Sequence, residues 1–141
     1  MSSIAGAEAE RPRRTTPAET DTHAMALVAA TFALKKKAQD VVILDLRGLT
    51  GVCDYFVIAT GLADTQVRAI ADQVEDGMRE EGHRVWHVEG RTSGRWVLLD
   101  FVHVVVHILH QDARDLYQLE RLWRDAGKET VTDDPIDLVG R

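Results

Sequence analysis

One cysteine, Cys53, stands among 141 residues, which excludes an intrachain disulfide and any zinc centre built from several cysteines. No motif of a catalytic thiol surrounds it, so Cys53 reads as a small buried or half-buried residue. Positive charge is also short: 17 Lys and Arg face 23 Asp and Glu, a net charge of −6. The concentrated basic runs, Arg11 to Arg14 and Lys35 to Lys37, are brief. A protein that holds bare nucleic acid normally presents a basic stripe to the phosphates. Direct contact with RNA or DNA is therefore disfavoured, whereas a basic protein partner fits the charge. No apolar run approaches the ~20 residues of a membrane helix. The N-terminus lacks a secretory apolar core, and Glu8, Glu10, Glu19 and Asp21 set it apart from acid-poor transit peptides. A cytosolic protein without membrane contact is expected.

Catalytic signatures are missing too. There is no Walker A loop, G-x-S-x-G elbow, H-E-x-x-H helix or paired Asp-x-Asp of metal-dependent nucleotidyl transfer.

What is present is one domain between two tails. Residues 1–22 and 127–141 are poor in large apolar side chains and read as disordered or flexible, because burial cannot offset their ordering entropy. Between them, Thr22 caps a helix through "HAMALVAATFALKKKAQ", with Leu27, Thr31, Leu34 and Ala38 on one face and three lysines in the last turn. "DVVILDL" and "DYFVIAT" are strands around a turn marked by Gly48 and Gly51. "LADTQVRAIADQVEDGMREEG" is a helix starting at Asp64, striped by Val67, Ile70, Ala71, Val74 and Met78, and stopped by Gly82. "RVWHVEG", "RWVLLDF" and "HVVVHIL" are strands, and "DARDLYQLERLWRDA" is a closing helix with Asp112 as its N-cap. The order predicts an α/β fold, a mixed sheet of about five strands flanked by helices.

His103, His107 and His110 invite a metal reading. The valines between the first two favour a strand, where residues four apart lie ~13 Å from each other at ~3.3 Å per residue. Zinc needs each ligand at ~2 Å, so one ion cannot serve both. Asp45, Asp54 and Asp100 lie near strand ends, where two magnesium ions could be held for phosphoryl or nucleotidyl transfer. Thr60 and Gly61 precede a helix, a place that can receive phosphate. Each signal is weak alone, since acids at strand ends are usually solvated or capping and a glycine before a helix is usually a turn.

The more informative pattern is on the strands. Trp96, Leu98 and Asp100 share one face and Val97, Leu99 and Phe101 the other, while His103, Val105 and His107 stand opposite Val104, Val106 and Ile108. One side is apolar core. The other mixes a large aromatic with Asp and His, and is either covered by a helix or exposed as a protein-binding surface. In the last helix Leu116, Leu119 and Trp123 follow core spacing. Arg114, Tyr117 and Arg121 form a second stripe, on which Tyr117 is either a snorkelling surface residue or part of that surface.

The blocks "DYFVIATG", "QVRAIAD", "VEG", "WVLLD", "VVVH" and "RDLYQLERLW" resemble, in order and spacing, the Iojap family of ribosomal silencing factors, over residues 23–126. The resemblance implies a fold related to nucleotidyltransferases without a catalytic centre, hence no enzyme, no metal and no cofactor. It implies a protein that binds the large ribosomal subunit through ribosomal protein uL-fourteen; the family has bacterial, mitochondrial and chloroplast versions, and the acidic N-terminus favours the bacterial, cytoplasmic case. Steric blocking of subunit joining there would repress translation. Carried over by position, the partner-facing residues are Trp96, Asp100, His107 and Tyr117, with Arg114 and Glu120 in the same block. Two departures stand out: Val102-His103 where the family commonly has Gly-Asp, and Thr65 where it commonly has Arg. A homodimer is left open. The alternatives are a metal-dependent nucleotidyltransferase-like enzyme using Asp45, Asp54 and Asp100, or a large-subunit assembly factor using the same docking site.

Overall fold

Asp21 starts the first helix, its carboxylate accepting the Ala24 N–H at 3.0 Å. The computed structural model describes residues 21–133. The expected N-terminal tail thus lies outside the described residues except at its last two positions, as do residues 134–141 of the expected C-terminal tail. The elements are α1 (Thr22–Leu34), β1 (Gln39–Asp45), β2 (Tyr55–Gly61), α2 (Asp64–Glu80), β3 (His87–Glu89), β4 (Trp96–Asp100), β5 (Val104–His110), α3 (Gln111–Tyr117), α4 (Leu119–Leu122) and β6 (Gly127–Thr130). They build one mixed six-stranded sheet in the order β3-β4-β5-β2-β1-β6. Only the β2–β5 pairing is parallel.

The two faces of the sheet are covered unequally. Val41 and Ile43 of β1, Val57 and Ala59 of β2, and Val104, Val106 and Ile108 of β5 point to the α1/α2 side. There Val67, Ile70, Ala71, Val74 and Met78 of α2 meet them, the stripe expected from the sequence. For α1 the expected stripe is corrected: the buried positions are Met25, Ala26, Ala29, Ala30 and Ala33, and Leu27 and Leu34 only flank the cluster. Alanines occupy the core because the helices lie close. A Cβ added to Gly77 of α2 would stand 2.5 Å from the Phe32 ring of α1. The helix ends at Leu34, so the three lysines fall beyond it, with Lys37 at φ 63°.

On the opposite face Val42, Leu44, Ile58, Val105 and Leu109 form a second cluster. Among the described residues no long helix lies over it. Phe56, Trp96, Leu98, Leu119, Trp123 and Ala126 close it partly.

The C-terminal boundary also differs from expectation. Residues 127–130, expected in a tail, pair antiparallel with Val42–Asp45 as the sixth strand. All four are exposed, so this edge strand has no apolar signature. It is fixed by the turn at Trp123–Ala126 and by Lys128, whose ammonium lies 3.1 Å from Glu120.

The closing helix is broken. His110, not Asp112, is the N-cap, its Nδ1 accepting the Asp112 N–H at 3.1 Å. Gln118 then adopts a left-handed conformation (φ 49°, ψ 57°) between α3 and α4. Leu116 of α3, expected in the core, is 74% exposed, while Leu119 and Trp123, beyond the break, reach the second cluster.

Candidate protein-docking face

Side chains on a strand alternate, so Trp96, Leu98 and Asp100 of β4 stand on the thinly covered face beside Leu109, His107 and Val105 of β5. The backbone around Trp96 is held by the β3–β4 turn. Gly90 has φ +82°, and a Cβ there would lie 1.9 Å from the Trp96 carbonyl oxygen, so no other residue fits. The same turn is strapped to α2 by Arg91, whose guanidinium binds Asp72 and Glu75, and by Arg68, which donates to the Thr92 carbonyl at 3.2 Å.

From this base a row of rings crosses the sheet. Tyr117 of α3 lies against Trp96, centroids 5.0 Å apart at 47°. The Trp96 indole Nε1–H donates to His107 Nδ1 at 3.0 Å. His107 meets Phe56 edge-on at 4.5 Å, and Phe56 meets Trp123 edge-on at 5.9 Å. Exposure grades along the row: His107 is buried, Trp96 half-buried and Tyr117 54% exposed. Burial pushes the His107 pKa down to about 4, so the ring is neutral near pH 7.

The six residues expected to face a partner thus divide. Trp96 and Tyr117 form one surface. His107 lies directly beneath it and presents no side chain to solvent. Asp100, at the far end of β4, is also buried, its Oδ1 accepting the Val102 N–H at 2.8 Å. Arg114 points inward, donating to Thr60 Oγ1 at 2.7 Å, to the Asp40 carbonyl, and to Glu120 Oε1 at 3.0 and 3.1 Å. Burial raises the Glu120 pKa, but Lys128 and Arg114 together outweigh it and hold the carboxyl below its ordinary range. Thr60, weighed as a phosphate contact, is occupied by this arginine.

Two surface residues escape sequence reasoning. Leu116, next to Tyr117 in the chain, and Leu122, beyond the α3–α4 break, are 74% and 73% exposed. Helical spacing groups Leu116 with Leu119 and Trp123 only in a continuous helix, and neither glycine nor proline marks the break at Gln118.

Two of the three carboxylates of the enzyme alternative, Asp45 and Asp100, stand far apart. Asp45 on β1 and Asp100 on β4 are three strand spacings apart in the sheet order, about 14 Å at ~4.8 Å each, whereas paired catalytic metals sit ~4 Å apart. Asp45 is engaged by Arg47 at 2.8 Å, and that hydrogen bond lowers its pKa against the opposing effect of burial. Among the described residues no group of three or more His, Cys, Asp or Glu is placed to hold a metal ion, and no helix is long and apolar enough to cross a membrane.

A family model described as "Ribosomal silencing factor during starvation" matches residues 19–139. The chain belongs to the ribosomal silencing factor family. One relative is the ribosomal silencing factor RsfS of Bacillus subtilis, 46% identical over 99 residues that cover 70% of this chain and 84% of that protein. Protein Iojap of the Zea mays chloroplast is 30% identical over 128 residues, covering 89% of this chain and 54% of that one. Among solved structures, a Chromobacterium violaceum protein superposes with a TM-score of 0.70 at 35% identity, covering 72% of this chain and 84% of its own. A Bacillus halodurans protein gives a TM-score of 0.67 at 36% identity, over 78% and 98%. In this silencing-factor chain, the Trp96/Tyr117 surface lies at the edge of the sheet face that α1 and α2 leave uncovered.

Proposed function

We propose that this protein represses translation by docking on the large ribosomal subunit through ribosomal protein uL-fourteen, where its bulk blocks joining of the small subunit. The reading takes its partner from the family resemblance, and the exposed Tyr117 ring tilted against the half-buried Trp96 is the observation that carries it. Two adjacent rings, one half-buried and one exposed, have the aromatic composition of a binding centre. A net charge of −6 suits a basic ribosomal protein better than ribosomal RNA. No chemistry is required of the protein, since occupying the surface is enough. Its site of action is then wherever bacterial ribosomes assemble, in the cytoplasm.

The test is co-sedimentation with purified large subunits, together with subunit joining followed by light scattering. Trp96→Ala and, separately, Tyr117→Ala should each weaken binding by about thirtyfold, the cost of truncating a central interface aromatic, and relieve the block on joining. Unchanged binding in both folded variants would remove the docking assignment.

A further inference from the structure

The docking reading uses Trp96 and Tyr117 and leaves His107, a buried titratable side chain beneath them, without a task. An indole N–H can only donate, so the 3.0 Å contact from Trp96 Nε1 requires a lone pair on His107 Nδ1. The imidazole is then the neutral tautomer with its proton on Nε2. That Nε2 is buried and has no hydrogen-bond partner among the described residues. An unpaired buried donor is destabilising, and an apolar side chain of similar size avoids that cost. Among the described residues, the hydrogen bond the ring makes is the one with Trp96. Its position is determined from every side: Ile58 and Leu98 flank it on the neighbouring strands, Phe56 stands edge-on to it, and Trp123 backs Phe56.

We infer that His107 is the positioning residue of the docking face, holding the Trp96 indole, and through that ring Tyr117, in the orientation a partner meets, without touching the partner. For its effect on binding this rests on the docking reading. The hydrogen bond and tautomer stand apart from it. Fixing a large ring before association lowers the ordering cost of binding. It also consumes the indole donor internally. The partner surface over Trp96 therefore needs apolar or cationic groups against the ring, and no acceptor for its N–H.

The unmodified chain gives the first test. Nitrogen-resolved imidazole spectra should show His107 unprotonated at Nδ1 and protonated at Nε2 at neutral pH, and the opposite tautomer overturns the inference. His107→Leu removes the acceptor, and His107→Asn returns one near the place of Nδ1. Leucine should speed exchange of the Trp96 indole proton and weaken large-subunit binding about tenfold, and asparagine should restore most of both. In a Trp96→Phe background, which has no indole N–H, His107→Leu should change affinity by less than about twofold. An equal loss with or without that N–H, or a folded His107→Asn variant that rescues nothing, overturns the inference. If Trp96→Ala itself leaves binding intact, the docking reading fails instead, and the tautomer and indole exchange still decide the role of His107.

Discussion

Arg114 and Glu120 meet across the left-handed residue Gln118, the guanidinium donating through Nε and Nη2 to a single carboxylate oxygen at 3.1 and 3.0 Å. A non-glycine residue in that conformation costs about 1–2 kcal/mol. The same guanidinium reaches Thr60 Oγ1 and the Asp40 carbonyl, so one side chain ties the break to the ends of β1 and β2. Arg114→Ala leaves Thr60 and part of the Glu120 charge without a partner at a largely buried site. It should lower the unfolding free energy by about 3 kcal/mol, read from urea titration. Arg114→Lys should recover little, because a point charge cannot fork over three acceptors.

Acid should act on His107 before it reaches the carboxylates. The folded pKa is about 4, against about 6.5 for the unfolded chain. Between those values the unfolded state binds the extra proton, so this contribution is complete above pH 6.5 and is lost as pH falls towards 4. The loss is about 3 kcal/mol over that window. Urea titrations at pH 7, 5.5 and 4 should show the slope, and His107→Asn should flatten it. Glu120, whose pKa is lowered, contributes stability present above its unfolded value of about 4.3 and lost at lower pH. Its effect should therefore follow that of His107. A profile flat from pH 7 to 4.5 in the unmodified chain would contradict the neutral buried imidazole.

Val102 occupies the centre of a three-residue turn closed by the His103 N–H on the Phe101 carbonyl at 3.0 Å, with φ +77°. This is a γ-turn of the rarer, positive-φ kind, and a β-branched residue there is a genuine outlier. Such strain costs on the order of 1–3 kcal/mol, against which glycine gives back about 0.5–1 kcal/mol in chain entropy. Val102→Gly should therefore stabilise the protein by about 1 kcal/mol, visible as a higher thermal midpoint. An unchanged or lower midpoint would mean that Asp100, which accepts the Val102 N–H, and the surrounding turn have relieved the strain.

That turn shows how far the sequence could be read. The departure from Gly-Asp at Val102-His103 was visible as a substitution, but its meaning depended on a backbone angle. The strands were legible where β-branched residues run consecutively, as in β1 and β5, and α2 was legible because its large apolar residues repeat at helical spacing. The buried face of α1 was hidden because alanine signals a core only when another helix comes close enough to need it. β6 was hidden because an exposed edge strand carries no apolar pattern. Alternation placed Trp96 and His107 on one face correctly. Which ring stays outside depends on where α3 lies, and that is set partly by contacts as distant as Arg114 to Asp40, 74 positions apart.

Leu116 and Leu122 extend the same reasoning to binding. Both are exposed on either side of the break at Gln118, to 74% and 73%, and neither belongs to the buried clusters of either sheet face. Replacing them with glutamine should therefore leave the unfolding free energy within about 0.5 kcal/mol of the unmodified chain. If the docking surface continues from Tyr117 over α4, each leucine buries apolar area on association worth about 1.5 kcal/mol or more. Leu116→Gln and Leu122→Gln should then each weaken co-sedimentation with large subunits about tenfold. The double variant, at positions separated by the break, should lose roughly the product. A loss confined to Leu116 would restrict the docking surface to α3. Full binding by both variants would limit it to the Trp96–Tyr117 pair.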